Sequence, residues 1–395
     1  MKKRFKEIYA ATLLAVGLVG CASEEDNIVI APVPEVDNQF ELNTHWDEYI
    51  GEGAEHYFSK FSPKFAYGKF FAASRDGEVK AIDPASGDTI WSTDLTDSEA
   101  AEREGHTRLS GGIAAAYGKI YIGTENGQVI AFSEEGGDEL WRVDVPGEVL
   151  SSPIAESNLI IINTTRGVLI ALDEETGDQK WVINTEVPNL TLRGDSTPIA
   201  SSGGVFWGTA NGRLAAALVE NGQLLWQQPI GTPKGATEIA RLVDVDASPI
   251  ILGRRLFIIG YNGQLTSINL QTGETYWKRQ YSSATNMATD GRSIYLVTDK
   301  DHIVAVDSRS GTQLWKNEQL EYRLLTAPKR IKGHLVVGDS EGYLYWLNLE
   351  SGEFMAKQSF DDSGFSVSPV LVEDGFIVMT RDGELTKLSI KEPND

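Results

Sequence analysis

Few side chains in this sequence are spaced for chemistry. Cys21 is the only cysteine among 395 residues, so no internal disulfide can form, and a lone thiol is a free nucleophile, an intermolecular link or a point of modification. The five histidines, His45, His56, His106, His302 and His334, are scattered along the chain. None has the spacing by which side chains converge on a metal, and no His-Glu-x-x-His or EF-hand loop appears. Carboxylates are abundant, but those in turns, such as Asp374, Asp382 and Glu384, are what any acidic surface contains and mark no general acid. No strand-turn-helix context for a nucleophile elbow is present. Neither catalytic residues, a metal nor a cofactor are therefore expected. The candidates that remain belong to recognition: Leu190, Leu192 and Arg193 in one segment, Asp244 and Asp246 in another, an apolar centre with a charged rim of the kind protein interfaces use.

The formal net charge of −22 repels polyanions at long range, and no basic patch compensates it, so nucleic acid is not an expected partner. With 41% hydrophobic residues and 39 glycines, the composition is that of a folded, turn-rich chain. The beginning reads differently. Lys2, Lys3, Arg4 and Lys6 precede an apolar stretch, residues 10–19, too short to span a bilayer as a stable helix. It ends in Leu18-Val19-Gly20-Cys21, which resembles the lipobox of bacterial lipoproteins. That resemblance implies a signal peptide of residues 1–20 and lipidation of Cys21 as the first mature residue. Acyl chains contribute about 0.8 kcal/mol per buried CH₂, and more than one is needed for stable anchoring. Ala22 stands where an aspartate would resemble an inner-membrane retention signal, so the outer membrane, on its periplasmic side, is the expected location. Residues 21–38, rich in Glu, Asp and Pro, read as an extended tether, leaving 39–395 for the folded part.

The positioning elements come from an internal repeat. A glycine is followed ten residues later by a second and fourteen later by tryptophan in five copies, beginning at Gly77, Gly127, Gly167, Gly212 and Gly263. A sixth copy has Asp301 for the first glycine but keeps Gly311 and Trp315, and a seventh keeps Gly342 and Gly352 but has Ala356 for tryptophan. An eighth starts at Gly383 and runs out of chain before its last strand. Short apolar runs alternate with turns, as in Lys119-Ile120-Tyr121-Ile122-Gly123 before Glu125-Asn126-Gly127, so each unit holds four strands. Such units at a period of about 40 to 50 residues are propeller blades, each burying its faces against its neighbours. The expected fold is all-β: an eight-bladed β-propeller of four-stranded antiparallel blades, closed by an N-terminal strand from residues 40–50 around Trp46. The recurring tryptophans are expected to pack between blades, and the glycines to supply φ > 0 in turns.

The motif Ala81-Ile82-Asp83 through Trp91, repeated as Ala171-Leu172-Asp173 through Trp181, resembles the repeats of quinoprotein alcohol dehydrogenases. That family implies a quinone, calcium and an adjacent-cysteine disulfide, which a chain with one cysteine cannot make. A quinone-dependent periplasmic dehydrogenase and a propeller binding envelope polysaccharide are the competing functional readings.

Connections from the outer strand of one blade to the inner strand of the next share a face, and three are unusual: 94–108, 184–196 and 230–246. The last two follow consecutive blades and should lie side by side. Two arrangements fit: Leu190, Leu192, Arg193, Asp244 and Asp246 form a contact surface, or Arg193 pairs with Asp244 or Asp246 while the leucines pack inward. The lipobox, the eight repeats and the segments 192–196, 338–344 and 363–365 resemble the BamB family of γ-proteobacterial outer-membrane assembly lipoproteins. The resemblance implies a non-enzymatic subunit of the β-barrel assembly machinery, the Bam complex. Such a subunit docks on POTRA domains of BamA through these five positions and helps unfolded outer-membrane protein clients to be delivered and inserted.

Overall fold

Strands form where the sequence places β-branched and aromatic residues between glycine turns, and burial then distinguishes their roles. In the third repeat, Leu159–Asn163 is buried throughout and Val168–Asp173 nearly so, whereas Gln179–Asn184 buries only Trp181. The unbroken run Leu159-Ile160-Ile161-Ile162 is thus a strand covered on both faces, and the outer strand is covered on one. The structure, a computed structural model, describes residues 28–54, 57, 61–96 and 107–391. The chain divides into residues 1–30 and 31–395, and the second unit holds every strand described. Cys21, the signal peptide, His56, His106 and most of the 94–108 connection lie outside the described residues.

Eight four-stranded antiparallel sheets follow one another, blades 1 to 8, with strands a to d from the inside outward. They occupy 64–94, 109–144, 154–184, 199–229, 250–279, 288–317, 329–359 and 370–390, the last taking its d strand from Leu42–Tyr49. Leu42–Tyr49 pairs antiparallel with Glu384–Ile390, from Leu42 opposite Ile390 to Tyr49 opposite Glu384. Each seam between consecutive blades holds its own apolar cluster, and the seam between blades 8 and 1 is filled by Trp46, Ile50, Phe70, Ile82, Val372 and Leu385. A filled seam there closes the ring, as the sequence led us to expect.

The tryptophan and glycine of the repeat belong to different blades. Each d-strand indole lies over the c–d turn glycine of the next blade: Trp91 over Gly137, and so on from Trp46 over Gly87 to Trp315 over Gly352. At Gly352, with φ +73°, a Cβ would meet the Trp315 ring at 2.4 Å, so a side chain is excluded twice over, by backbone and by space. At five of these seven seams the indole N–H also crosses, as from Trp91 to the Glu134 carbonyl at 3.1 Å and from Trp315 to that of Leu349 at 2.8 Å. The repeat's aspartate is equally structural: Asp173 Oδ1 accepts the amides of Glu175 and Thr176 at 3.0 and 3.1 Å, which folds the turn.

This partnership accounts for Ala356. Blade 8 takes its d strand from the other end of the chain, so it has no c–d turn and no glycine for blade 7 to cover. Phe40 fills the space instead, 4.9 Å from the His334 ring and 5.5 Å from Trp346. The tether expected to extend through Asn38 is fixed to the ring from Ala31 onward, because its backbone and the Asn38 side chain meet partners on blade 7 and on the connection before it.

Candidate functional site

The d-to-a connections and the b–c turns leave the ring on one face, called upper here; the a–b and c–d turns leave on the lower. Connection 185–198, between blades 3 and 4, and connection 230–249, between blades 4 and 5, lie together on the upper face. Asp244 fastens them. Its backbone bridges to Tyr261, its Oδ2 accepts the Leu192 amide at 3.1 Å and its Oδ1 accepts the Val245 amide at 2.9 Å. Ser196 Oγ adds a bond to the Ala247 carbonyl at 2.9 Å, and Asn163 Nδ2 binds the Ser196 carbonyl at 3.1 Å. Gly194 lies directly on Asp246, where a Cβ would meet Oδ2 at 2.7 Å.

The five recognition candidates are brought together but face different ways. Leu190 is exposed and Leu192 half-buried, while Asp244 and Asp246 are 1% and 5% exposed and lie beneath the loop. Arg193 reaches across to the b–c turn of blade 2 and the connection that follows that blade, with Glu125 at 3.1 Å and Glu148 at 3.6 Å. Sequence reasoning missed both glutamates. Glu125 sits in a b–c turn, Glu125-Asn126-Gly127, whose glycine drew attention as punctuation; that such turns share the upper face was the available signal.

Glu125 is held by two guanidinium groups, since Arg75 also binds it, at 3.0 and 2.8 Å. Burial pushes the Glu125 carboxyl up, but Arg75 and Arg193 outweigh it and hold the group below the ordinary carboxylate range. The chain Arg75–Glu125–Arg193 therefore stays ionised and aims the Arg193 stem along the face.

Asp244 behaves oppositely. Burial, and then the neighbouring Asp246 carboxylate, push its carboxyl well above the ordinary range, against the opposing amides of Leu192 and Val245. A carboxyl whose folded-state pKa is raised binds its proton more tightly folded than unfolded, so its contribution to stability falls as pH rises from the unfolded pKa towards the folded one. Melting experiments between about pH 5 and pH 8 should show stability declining with pH, and Asp246→Asn, by removing the repelling charge, should flatten the slope. Parallel slopes for the two proteins would remove this pair from the account.

Among the described residues no group of three or more His, Cys, Asp or Glu side chains could hold a metal ion. Fold and face together define an eight-bladed propeller that presents a fastened pair of loops. A family model described as outer membrane protein assembly factor BamB matches residues 75–317 and 301–394. The outer membrane protein assembly factor BamB of Vibrio cholerae serotype O1 is 59% identical over 392 residues, 99% of this chain and all of that protein. The crystal structure of BamB from Moraxella catarrhalis superposes with a TM-score of 0.79 at 24% identity, covering 88% of this chain and 100% of that one. Quinohemoprotein alcohol dehydrogenase from Comamonas testosteroni shares the fold, with a TM-score of 0.71 at 14% identity over 89% of this chain and 77% of that one. The chain belongs to the family of outer membrane protein assembly factor BamB.

Proposed function

We propose that the chain is a lipid-anchored, non-enzymatic scaffold of the Bam complex on the periplasmic side of the outer membrane. Through its upper face it docks on POTRA domains of BamA, assisting delivery and insertion of outer-membrane proteins. Cys21 carries the lipid. Leu190 and Leu192 supply the apolar contact, Arg193 the charge, and Asp244 and Asp246 hold the loop from beneath. Beyond family membership, the observation that supports this reading is the fastening of Leu192 to Asp244 across two connections, which holds Leu190 and Arg193 ready with little ordering left to do on binding.

A tethered rigid ring acts by raising local concentration beside its partner. Outer d strands with an exposed apolar residue before the tryptophan, such as Ile90, Leu140, Leu225 and Leu314, offer edges to an extended client segment. The quinohemoprotein dehydrogenase likeness is one of fold, and the single cysteine cannot form the adjacent-cysteine disulfide that the quinoprotein resemblance implies.

Arg193→Glu places a third carboxylate beside Glu125 and Glu148 and reverses the charge offered to the partner. BamA binding should weaken at least tenfold, about 1.4 kcal/mol or more, while folding is retained because the side chain is exposed. Undiminished co-purification of BamA with a well-folded variant would sink the docking proposal.

A further inference from the structure

Two repeats depart from the pattern, and both departures lie near the first folded residues of the chain. In blade 6, Asp301 takes the turn glycine's place with φ 61°, and its carboxylate accepts the amides of Leu324 at 2.8 Å and Leu325 at 2.9 Å. Those amides belong to the upper-face connection 318–328. There Tyr322 and Leu324 are held at φ 60° and 55°, a conformation that side chains resist and that persists only where the surroundings enforce it. The enforcing residue between them is Arg323, 2% exposed, whose Nε binds Asp339 at 2.7 Å and whose Nη2 binds Glu341.

Its remaining nitrogen, Nη1, donates to the Ala31 carbonyl at 2.8 Å, and the Ala31 amide donates to the Glu321 carbonyl at 2.9 Å. From there the chain descends the outer strand Phe354–Ser359 of blade 7, the blade in which Ala356 replaces tryptophan. Lys357 Nζ binds the Pro34 carbonyl at 2.9 Å, Asn38 exchanges bonds of 3.0 and 2.8 Å with the Lys357 backbone, and the Gln39 amide meets the Met355 carbonyl at 2.8 Å. The descent ends at Phe40 beside His334, on the lower face.

We propose that this seat is an orienting latch. It makes the chain leave the ring at Ala31 on the upper face, so that the docking loops look toward the membrane and the partner is engaged between ring and bilayer. The inference rests on the anchored reading given above. Cys21 lies ten residues before Ala31, a reach of at most about 35 Å. Released, the chain would next be fixed at Phe40, nine residues later and on the opposite face.

The test couples the chain from Cys21 onward, through that thiol, to a maleimide lipid in phosphatidylcholine vesicles carrying headgroup acceptors. A fluorescent non-canonical amino acid replaces Leu190 on the upper face or Glu175 in the lower-face turn of blade 3. Transfer from position 190 should exceed that from 175 several-fold. A triple variant, Ala31→Pro with Asn38→Ala and Lys357→Ala, leaves Arg323 its carboxylates and hence the fold; it should bring the ratio to one or invert it. Equal transfer from the two positions in the parent chain overturns the latch. So does an unmoved ratio in a triple variant whose Gln39 amide has lost protection from hydrogen exchange. Because the coupling is chemical, cellular acylation of Cys21 does not enter the result, and its failure is seen separately in the mass of the envelope protein.

Discussion

Replacing Arg323 by alanine should destabilise the ring by about 3–5 kcal/mol, the usual cost of stripping one partner from a buried ion pair. The reason lies in Asp339, which is 0% exposed and has all its contacts inside the fold. Its Oδ2 accepts Arg323 Nε at 2.7 Å and the Tyr345 hydroxyl at 2.9 Å, and its Oδ1 accepts the amides of Glu341 and Tyr343 at 3.0 and 2.8 Å. Burial depresses the Arg323 pKa, but Asp339 and Glu341 more than compensate and raise it, so the guanidinium is charged at every accessible pH. Burial and the Asp339 charge likewise raise the Tyr345 phenol, which remains a donor. Removing Arg323 alone leaves the carboxylate with neutral donors only. Adding Asp339→Asn should recover a large part of the loss, and a double-mutant cycle from denaturant unfolding measures the coupling. Strictly additive losses would show that the pair contributes nothing jointly.

Trp46→Ala should cost a similar 3–5 kcal/mol, the range for truncating a large buried aromatic side chain. Trp46 lies over Gly87, where a Cβ would meet the ring at 2.8 Å, and its N–H reaches the Pro84 carbonyl at 3.2 Å. Comparable truncations elsewhere loosen a seam inside a continuous chain. Here the seam is the one that closes the ring, and the strand carrying Trp46 is joined covalently to blade 1 and by hydrogen bonds to blade 8. Hydrogen exchange should accelerate first in Leu42–Tyr49 and Glu384–Ile390, ahead of the blades opposite. Uniform acceleration around the ring would place the weakness elsewhere.

The ring was legible because glycine, glycine and tryptophan recur at fixed offsets, and the count of strands in the last unit left one to be found near Trp46. What the offsets hid is the direction of the contact. Gly87 and Trp91 are four residues apart, yet Trp91 meets Gly137 of the following blade and Gly87 meets Trp46 of the preceding one. Spacing within a unit carries no record of which neighbour each residue touches. Asp301 and Ala356 looked like tolerated lapses of the repeat; only the tertiary structure shows the amides that Asp301 binds and the turn that Ala356 no longer has to cover.

At the candidate face, loop length identified the two connections, and the Leu192–Asp244 bond confirms that they are neighbours. The burial of Asp244 and Asp246 was not readable, because a carboxylate is usually exposed and nothing local says that Gly194 will lie over it. Glu125 and Glu148 were overlooked for the converse reason: one sits in a short b–c turn, the other in the ordinary connection between blades 2 and 3, and each acquires its role from an arginine more than forty positions away.

The pairing between Leu42–Tyr49 and Glu384–Ile390 joins the first of the described strands to the last. During synthesis the first must wait, with its edge unsatisfied, until some 340 residues more have followed. The intermediate blades can stack as they emerge, since each needs only the one before it. The circle can be shut only by an event of very high contact order, and such pairings are slow and exposed to wrong partners. The nascent form is accordingly an arc with two sticky ends.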